Sequence, residues 1–259
     1  MKIIDVNASF GFWPLQRFTH QTLDALEEAM ARNGITEAWV SAIESILFPD
    51  PDEFDLPLFR KLAEFPRFRP VKTVNPLLAN WRESCTAALK EFPLAALKIF
   101  PNYHGYPLGH VELRQLADFA AEYRLPVLVP LRINDERNQP TALEMTPVDP
   151  HGLARLAAEA ETTTFVALCA TKEEAATLLQ SPSRVMTDIS FLDGEQPLLL
   201  LKHRLKGLPP RLLFGSHAPF FYPESSAFKL QYAQLPREEI EGIASGNLCA
   251  AMEAEHAAR

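Results

Sequence analysis

Cysteine is scarce in this 259-residue chain. Cys85, Cys169 and Cys249 are widely spaced and form no Cys-x-x-Cys pair, which excludes a disulfide framework and a zinc knuckle and leaves reduced, structural thiols. No apolar run approaches the ~20 residues a spanning helix needs. Met1-Lys2 leads directly into a short strand rather than into a signal peptide, so the expectation is a soluble, cytoplasmic protein with no membrane contact. Positive charge is in deficit too. The formal net charge is −8, with both signs scattered along the chain, and no basic patch recommends nucleic acid as a partner. Gly-x-Gly-x-x-Gly and Walker-type loops are missing, which weakens an open nucleotide-binding sheet. There is no internal repeat and no low-complexity tract.

What is present is a regular alternation. Short β-like runs recur at Ile3–Val6, Ala38–Ala42, Pro70–Val74, Ala96–Phe100, Val127–Leu131, Phe165–Cys169, Val185–Ile189 and Arg211–Phe214. Between them lie stretches of helical periodicity: Thr22–Asn33, Trp81–Glu91, Val111–Tyr123, Gly152–Ala160, Lys172–Gln180 and Pro197–Leu205, with Glu238–Met252 after the last strand. A hydrophobic content of 47% supports one large core. Eight strand–helix units at this length predict a single-domain α/β protein, a (β/α)₈ TIM barrel. Many of the 22 prolines follow strand candidates, among them Pro49, Pro76, Pro101, Pro147 and Pro219. Proline cannot continue a ladder, so these mark loops at the C-terminal rim. The longest such loop, Ile133–Asp149, has a length that usually serves function.

Working residues of a barrel lie at the C-terminal ends of its strands, and four segments qualify. In Asn7-Ala8-Ser9 the two polar side chains share one side of an extended strand and face the mouth, or else fill a barrel layer or cap a turn. In Lys98-Ile99-Phe100-Pro101-Asn102-Tyr103-His104 an inward Lys98 is costly unless it is paired or lines a wet cavity. His104 is a binding-loop candidate or a loop residue stacked on Tyr103 or Tyr106. In the third segment Arg132 and Arg137 could clamp a carboxylate with Asp135 or Glu136 orienting them, the alternative being a structural loop network. Last, His217 has the ordinary pKa of a general acid or base, and Asp188 could hold it; the alternative is a histidine that only packs in the rim. Cys169 is either a nucleophile beside His217 or a buried packing residue.

Two of these segments carry a resemblance. Ile3-Ile4-Asp5-Val6-Asn7-Ala8-Ser9 and Phe214-Gly215-Ser216-His217-Ala218-Pro219 resemble signature strands of the amidohydrolase superfamily, in its branch of decarboxylases and metal-dependent hydrolases. There an Asp-x-His-x-His strand opens the barrel and a Phe-Gly-Ser-Asp-x-Pro strand closes it. The resemblance runs from Asp5 to about Met252; Lys98–Tyr106, with the two signature strands, is similar to an uncharacterised subgroup, and the Phe220–Ser225 tail resembles the pattern of relatives. It implies a metal site, yet Asn7 and Ser9 stand at the two histidines and His217 at the aspartate. Pro130 or Leu131 and Leu168-Cys169-Ala170 stand where further histidines are expected. Neutral amides and hydroxyls are poor ligands for zinc-like ions.

The expectation is therefore no metal and no cofactor, and a metal-independent hydrolase or lactonase using His217, Lys98 and Asp188. Asn7, Ser9, His104, Arg132 and Asp135 would line the substrate site, and Lys98, His104, Arg132 and His217 would converge on one pocket. Lys98 and Arg132 place positive charge in a cleft and predict a small anionic substrate. The alternatives are a non-catalytic relative binding a metabolite or partner protein at the mouth, and a metal-dependent hydrolase or decarboxylase with an atypical site. A homo-oligomer is compatible with the sequence.

Overall fold

Along the strands, hydrophobic side chains alternate between two destinations. Ala38 and Val40, Val127 and Val129, and Phe165 and Ala167 pack outward with helical residues such as Leu26, Met30, Leu116, Leu153 and Leu178. Their neighbours Trp39, Leu128, Val166 and Leu168 join Ile4, Val6, Val71, Ala96, Met186 and Leu213 in an inner cluster. This period of two, buried on both faces, belongs to a parallel sheet sheathed by helices.

The structure, a computed structural model, describes residues 1–135 and 145–257, with side chains through Ala254. Eight strands, β1 (Ile4–Phe10), β2 (Glu37–Ala42), β3 (Phe68–Thr73), β4 (Ala96–Lys98), β5 (Val127–Pro130), β6 (Phe165–Leu168), β7 (Met186–Asp188) and β8 (Leu212–Leu213), pair in chain order. Every pairing is parallel. The ring closes through the chain that follows β8. Val6 N donates to the Phe214 carbonyl at 3.1 Å, while His217 N donates to Asn7 and Ser9 N to Ala218, each at 2.7 Å. The fold is the expected (β/α)₈ barrel.

Helices α1 (Leu23–Arg32), α2 (Asp52–Leu62), α3 (Trp81–Glu91), α4 (Pro101–His104), α5 (Val111–Glu122), α6 (Pro150–Glu159), α7 (Lys172–Gln180) and α8 (Pro197–Leu205) lie between the strands, and α9 (Pro223–Gln231), α10 (Arg237–Glu241) and α11 (Asn247–Ala257) follow β8. Local signals fix several starts. Thr22 caps α1 through the Ala25 N–H, and Thr171 with Glu174 forms a capping box on α7. Helix α2 is not among the expected helical stretches; Pro51 stands at its N-cap and Pro57 lies inside it. An interior proline costs about 3 kcal/mol, but α2 buries Leu58, Phe59 and Leu62, each contributing roughly 1.5–3 kcal/mol. The segment expected as one helix over Glu238–Met252 is instead α10 and α11 joined by a π-type turn at Gly242–Gly246.

A third cluster lies across the C-terminal face. Trp13, Phe18, Ile43, Ile46, Phe100, Ile133 and Phe220 come from the segments after β1, β2, β4, β5 and β8, so the barrel mouth carries an apolar roof. Among the described residues no helix is long and apolar enough to cross a membrane.

Candidate active site

Beneath this roof the strand ends bring a polar cluster into the interior. Asn7 on β1 extends its amide toward β7, where Nδ2 donates to Asp188 Oδ2 at 2.8 Å, and it also reaches Cys169 Sγ at 3.3 Å and Ser190 Oγ at 3.5 Å. A carboxylate only accepts, so Asn7 turns its donor end into the site. The other oxygen of Asp188 accepts the Cys169 backbone N–H at 2.9 Å. Asp188 is fully buried, and burial raises its pKa against these hydrogen bonds.

His217 follows β8 and sits beside Cys169, with Sγ 3.4 Å from Nδ1. Its Nε2 lies 2.7 Å from the Ile133 carbonyl. A carbonyl can only accept, so Nε2 carries the hydrogen and Nδ1 presents its lone pair to the thiol. Phe220 stacks on the imidazole at 4.9 Å. Burial, with Lys98 adding to it and the Ile133 carbonyl opposing it, takes the His217 pKa down to about 3, and burial beside Asp188 pushes the Cys169 thiol up to about 12. Both groups are neutral at rest. Both also hold φ at +58°, a left-handed conformation that costs a non-glycine residue of order 1 kcal/mol and is often found where function holds it.

Lys98 ends β4 and is 3% exposed. Its ammonium donates to Ser41 Oγ at 3.1 Å and lies 5.5 Å above the Phe100 ring; Ser41 is in turn 3.0 Å from Ser9 Oγ. No carboxylate touches it among the described residues. Burial depresses its pKa to about 8, with the more distant Cys169, Asp188 and Asp5 partly offsetting. Lys72, equally buried, provides the contrast. Its Nζ reaches Asp52 at 2.6 Å and Asp55 at 3.3 Å, and these carboxylates outweigh burial and raise its pKa. One lysine is compensated within the fold and the other is not.

Arg132 and His104 point elsewhere. Both terminal nitrogens of Arg132 lie 2.6 Å from Glu174 oxygens in a bidentate pair, and Nη1 also donates to the Cys169 carbonyl at 2.9 Å. It braces the β6 end against α7. His104 closes α4 with Nε2 at 3.1 Å from the Ser45 carbonyl, and burial lowers its pKa. The structure thus joins Asn7, Lys98, Asp188 and His217 in one buried cluster, with Ser9 linked to it through Ser41, and places Arg132 and His104 on its periphery. Asp135 lines a cleft beside β7. Glu136 and Arg137 lie outside the described residues. Sequence reasoning passed over Ser41, Ser190 and Asp5. Asp5 accepts from the backbone of Asn7 at 3.0 Å and of Ser216 at 2.9 Å, and burial raises its pKa to about 6. Its place in the Asp-Val-Asn strand end is the one signal that marked it.

No family model matches the chain, and no curated protein matches it. Solved structures do. Along 98% of this chain and 99% of its own, a 2,6-dihydroxybenzoate decarboxylase from Rhizobium superposes with a TM-score of 0.73 at 11% identity. A dihydroxybenzoic acid decarboxylase from a Polaromonas species, solved with bound manganese and the inhibitor 2-nitroresorcinol, gives 0.73 at 12% identity over 97% of both chains. A probable 2-pyrone-4,6-dicarboxylic acid hydrolase from Acinetobacter baumannii, solved with citric acid bound, gives 0.65 at 11% identity over 98% of this chain and all of the other. The chain shares their fold.

The donor set here does not fit a divalent ion. Among the described residues no group of three or more His, Cys, Asp or Glu side chains is placed to hold one. The Asn7 position offers N–H groups, and His217 commits one nitrogen to a carbonyl and turns the other to a thiol, where a metal needs converging lone pairs.

Proposed function

We propose that this protein is a hydrolase of the amidohydrolase type that works without a metal on a small anionic substrate, such as an ester or lactone bearing a carboxylate. One observation carries the reading: among the described residues Lys98 is a buried ammonium with the Ser41 hydroxyl as its hydrogen-bond partner and no carboxylate in contact. A buried charge left uncompensated is strongly unfavourable, and an anion entering beside Lys98 removes that penalty. Once seated, it has the Nδ1 lone pair of neutral His217 available as a proton acceptor, while Asp188 fixes Asn7 and the Cys169 backbone around it.

A second reading is favoured by the apolar roof and by the neutral Cys169 and His217: a non-catalytic barrel that holds a small anion. One experiment separates them. The wild type and Lys98→Met are screened by thermal shift against acetate, lactate, neutral alcohols and a panel of lactones and carboxylate esters, and ester and lactone hydrolysis is followed in parallel. The hydrolase reading expects stabilisation by anions and turnover, both lost in Lys98→Met. Stabilisation without turnover selects the binding protein, and indifference to Lys98→Met removes both.

A further inference from the structure

Helix α9 carries two apolar stripes, and only one faces the core. Pro223, Ser226 and Leu230 are buried. Ser225, Phe228, Lys229 and Tyr232, at spacings i, i+3, i+4 and i+7, form a second face. Phe228 is 51% and Tyr232 63% exposed, an unusual pairing of large aromatics on a surface helix. This face lines a cleft of about 630 Å³, opposite the segment after β7, whose Phe191 and Asp193 form the other wall together with Phe221. The volume is that of a small-molecule site.

Two features organise the cleft. Phe191 and Phe221 pack at 4.9 Å with their planes 30° apart, and Phe228 and Tyr232, in the same lining, lie 5.8 Å apart. Lys229 Nζ donates to the Ile189 and Ser190 carbonyls at 2.9 and 2.6 Å, which uses two of its three N–H groups and fixes where the third is held. Gln196 braces the two walls, donating to the Tyr232 carbonyl at 3.1 Å and accepting from Gln234 N at 3.3 Å. Asp193, exposed in the same lining, is close enough to act on Lys229 as an opposite charge, and it disfavours a ligand with more than one negative charge.

We propose that this cleft binds a flat, apolar molecule bearing a single carboxylate, with its body between the aromatic walls and its carboxylate on the remaining N–H of Lys229. The cleft adjoins the cluster described above through Ser190 and through Phe191 and Phe221, which pack on His217 at 5.6 and 5.3 Å, but Lys98 is not in its lining, and the inference does not depend on the hydrolase reading.

Titration calorimetry of the full chain with 2-naphthoate tests it, with 2-naphthylmethanol as the neutral flat control and cyclohexanecarboxylate as the charged control that is not flat. The expected result is saturable naphthoate binding, preferred over both controls. Loss of one charge-assisted hydrogen bond predicts about tenfold weaker binding in Lys229→Met, and the Phe228→Ala/Tyr232→Ala double variant, whose side chains are half or more exposed, keeps its fold and also loses affinity. Equal affinity for the three compounds, no saturable binding, or unchanged binding in the α9 variants would each overturn the assignment.

Discussion

The Asn7 amide donates to the Asp188 carboxylate at 2.8 Å, tying β1 to β7 across the interior of the barrel. The two residues are 181 positions apart in the chain, and both are at most 1% exposed. A buried side-chain hydrogen bond therefore holds two strand ends together across the barrel interior. Asn7→Leu removes the donor and leaves Asp188 Oδ2 without it in the interior. Breaking a buried bond to an ionisable group on one side costs about 3 kcal/mol, measured by urea unfolding at neutral pH. A loss below about 1 kcal/mol, the value of an ordinary exposed contact, would mean that water reaches this oxygen.

Lys98 gives a pH signature. Its folded pKa of about 8 lies below the ordinary 10.5, so between these values the unfolded chain holds the proton that the folded chain has released. Stability from this group rises as pH increases through that window, and the full penalty is present below pH 8. Relative to Lys98→Met, the wild type gains about 2 kcal/mol between pH 7.5 and 9.5. Taking the difference cancels the opposing effect of Cys85 and Cys169, whose raised pKa values weaken the folded state as pH passes 9. Parallel stability curves for the two proteins would show that Lys98 is solvated or paired.

The barrel was legible in the sequence because its causes are local: apolar runs of strand length, amphipathic stretches between them and prolines at the rim. The inward placement of Asn7, Lys98, Asp188 and His217 followed from the same rule, since a strand end in a closed barrel has only the mouth to face. The direction of a long side chain did not follow. Arg132 leaves β5 near the mouth, yet Glu174 at the third position of α7 offers it a bidentate carboxylate, and that partner lies 42 residues away. The roof was equally hidden, because Trp13, Phe18, Phe100 and Phe220 come from three loops, after β1, β4 and β8, whose meeting depends on barrel closure.

The Arg132–Glu174 pair is a brace by geometry, and Glu174→Gln tests it. The substitution keeps the shape and one acceptor but removes the charge from a pair whose side chains are 5% and 18% exposed. A loss of about 2–3 kcal/mol is expected, less than for a fully buried pair. Since Glu174 also completes the Thr171 capping box, amide exchange at the start of α7 should quicken in the same variant. An unchanged unfolding midpoint would assign Arg132 to the solvent or to a ligand.

His217 governs the acid side. Its folded pKa of about 3 lies below the ordinary 6.5, so as pH falls from 6.5 toward 3 the unfolded chain takes a proton that the folded chain refuses, and stability is lost over that window. Asp5 and Asp55 act in the opposite sense. Each has a folded pKa of about 6 against 3.8, so each strengthens the folded state as pH falls from about 6 to 3.8. In the wild type these effects partly cancel. His217→Phe removes one side of the balance while keeping a ring against Phe220, so the variant should lose less stability than the wild type on acidification. The difference between the two proteins is expected to change by about 3 kcal/mol between pH 7.5 and 4.5, measured by urea unfolding at each pH. If the difference stays constant, His217 protonates inside the folded barrel, and the neutral imidazole assigned to it as a proton acceptor is not its state in mild acid.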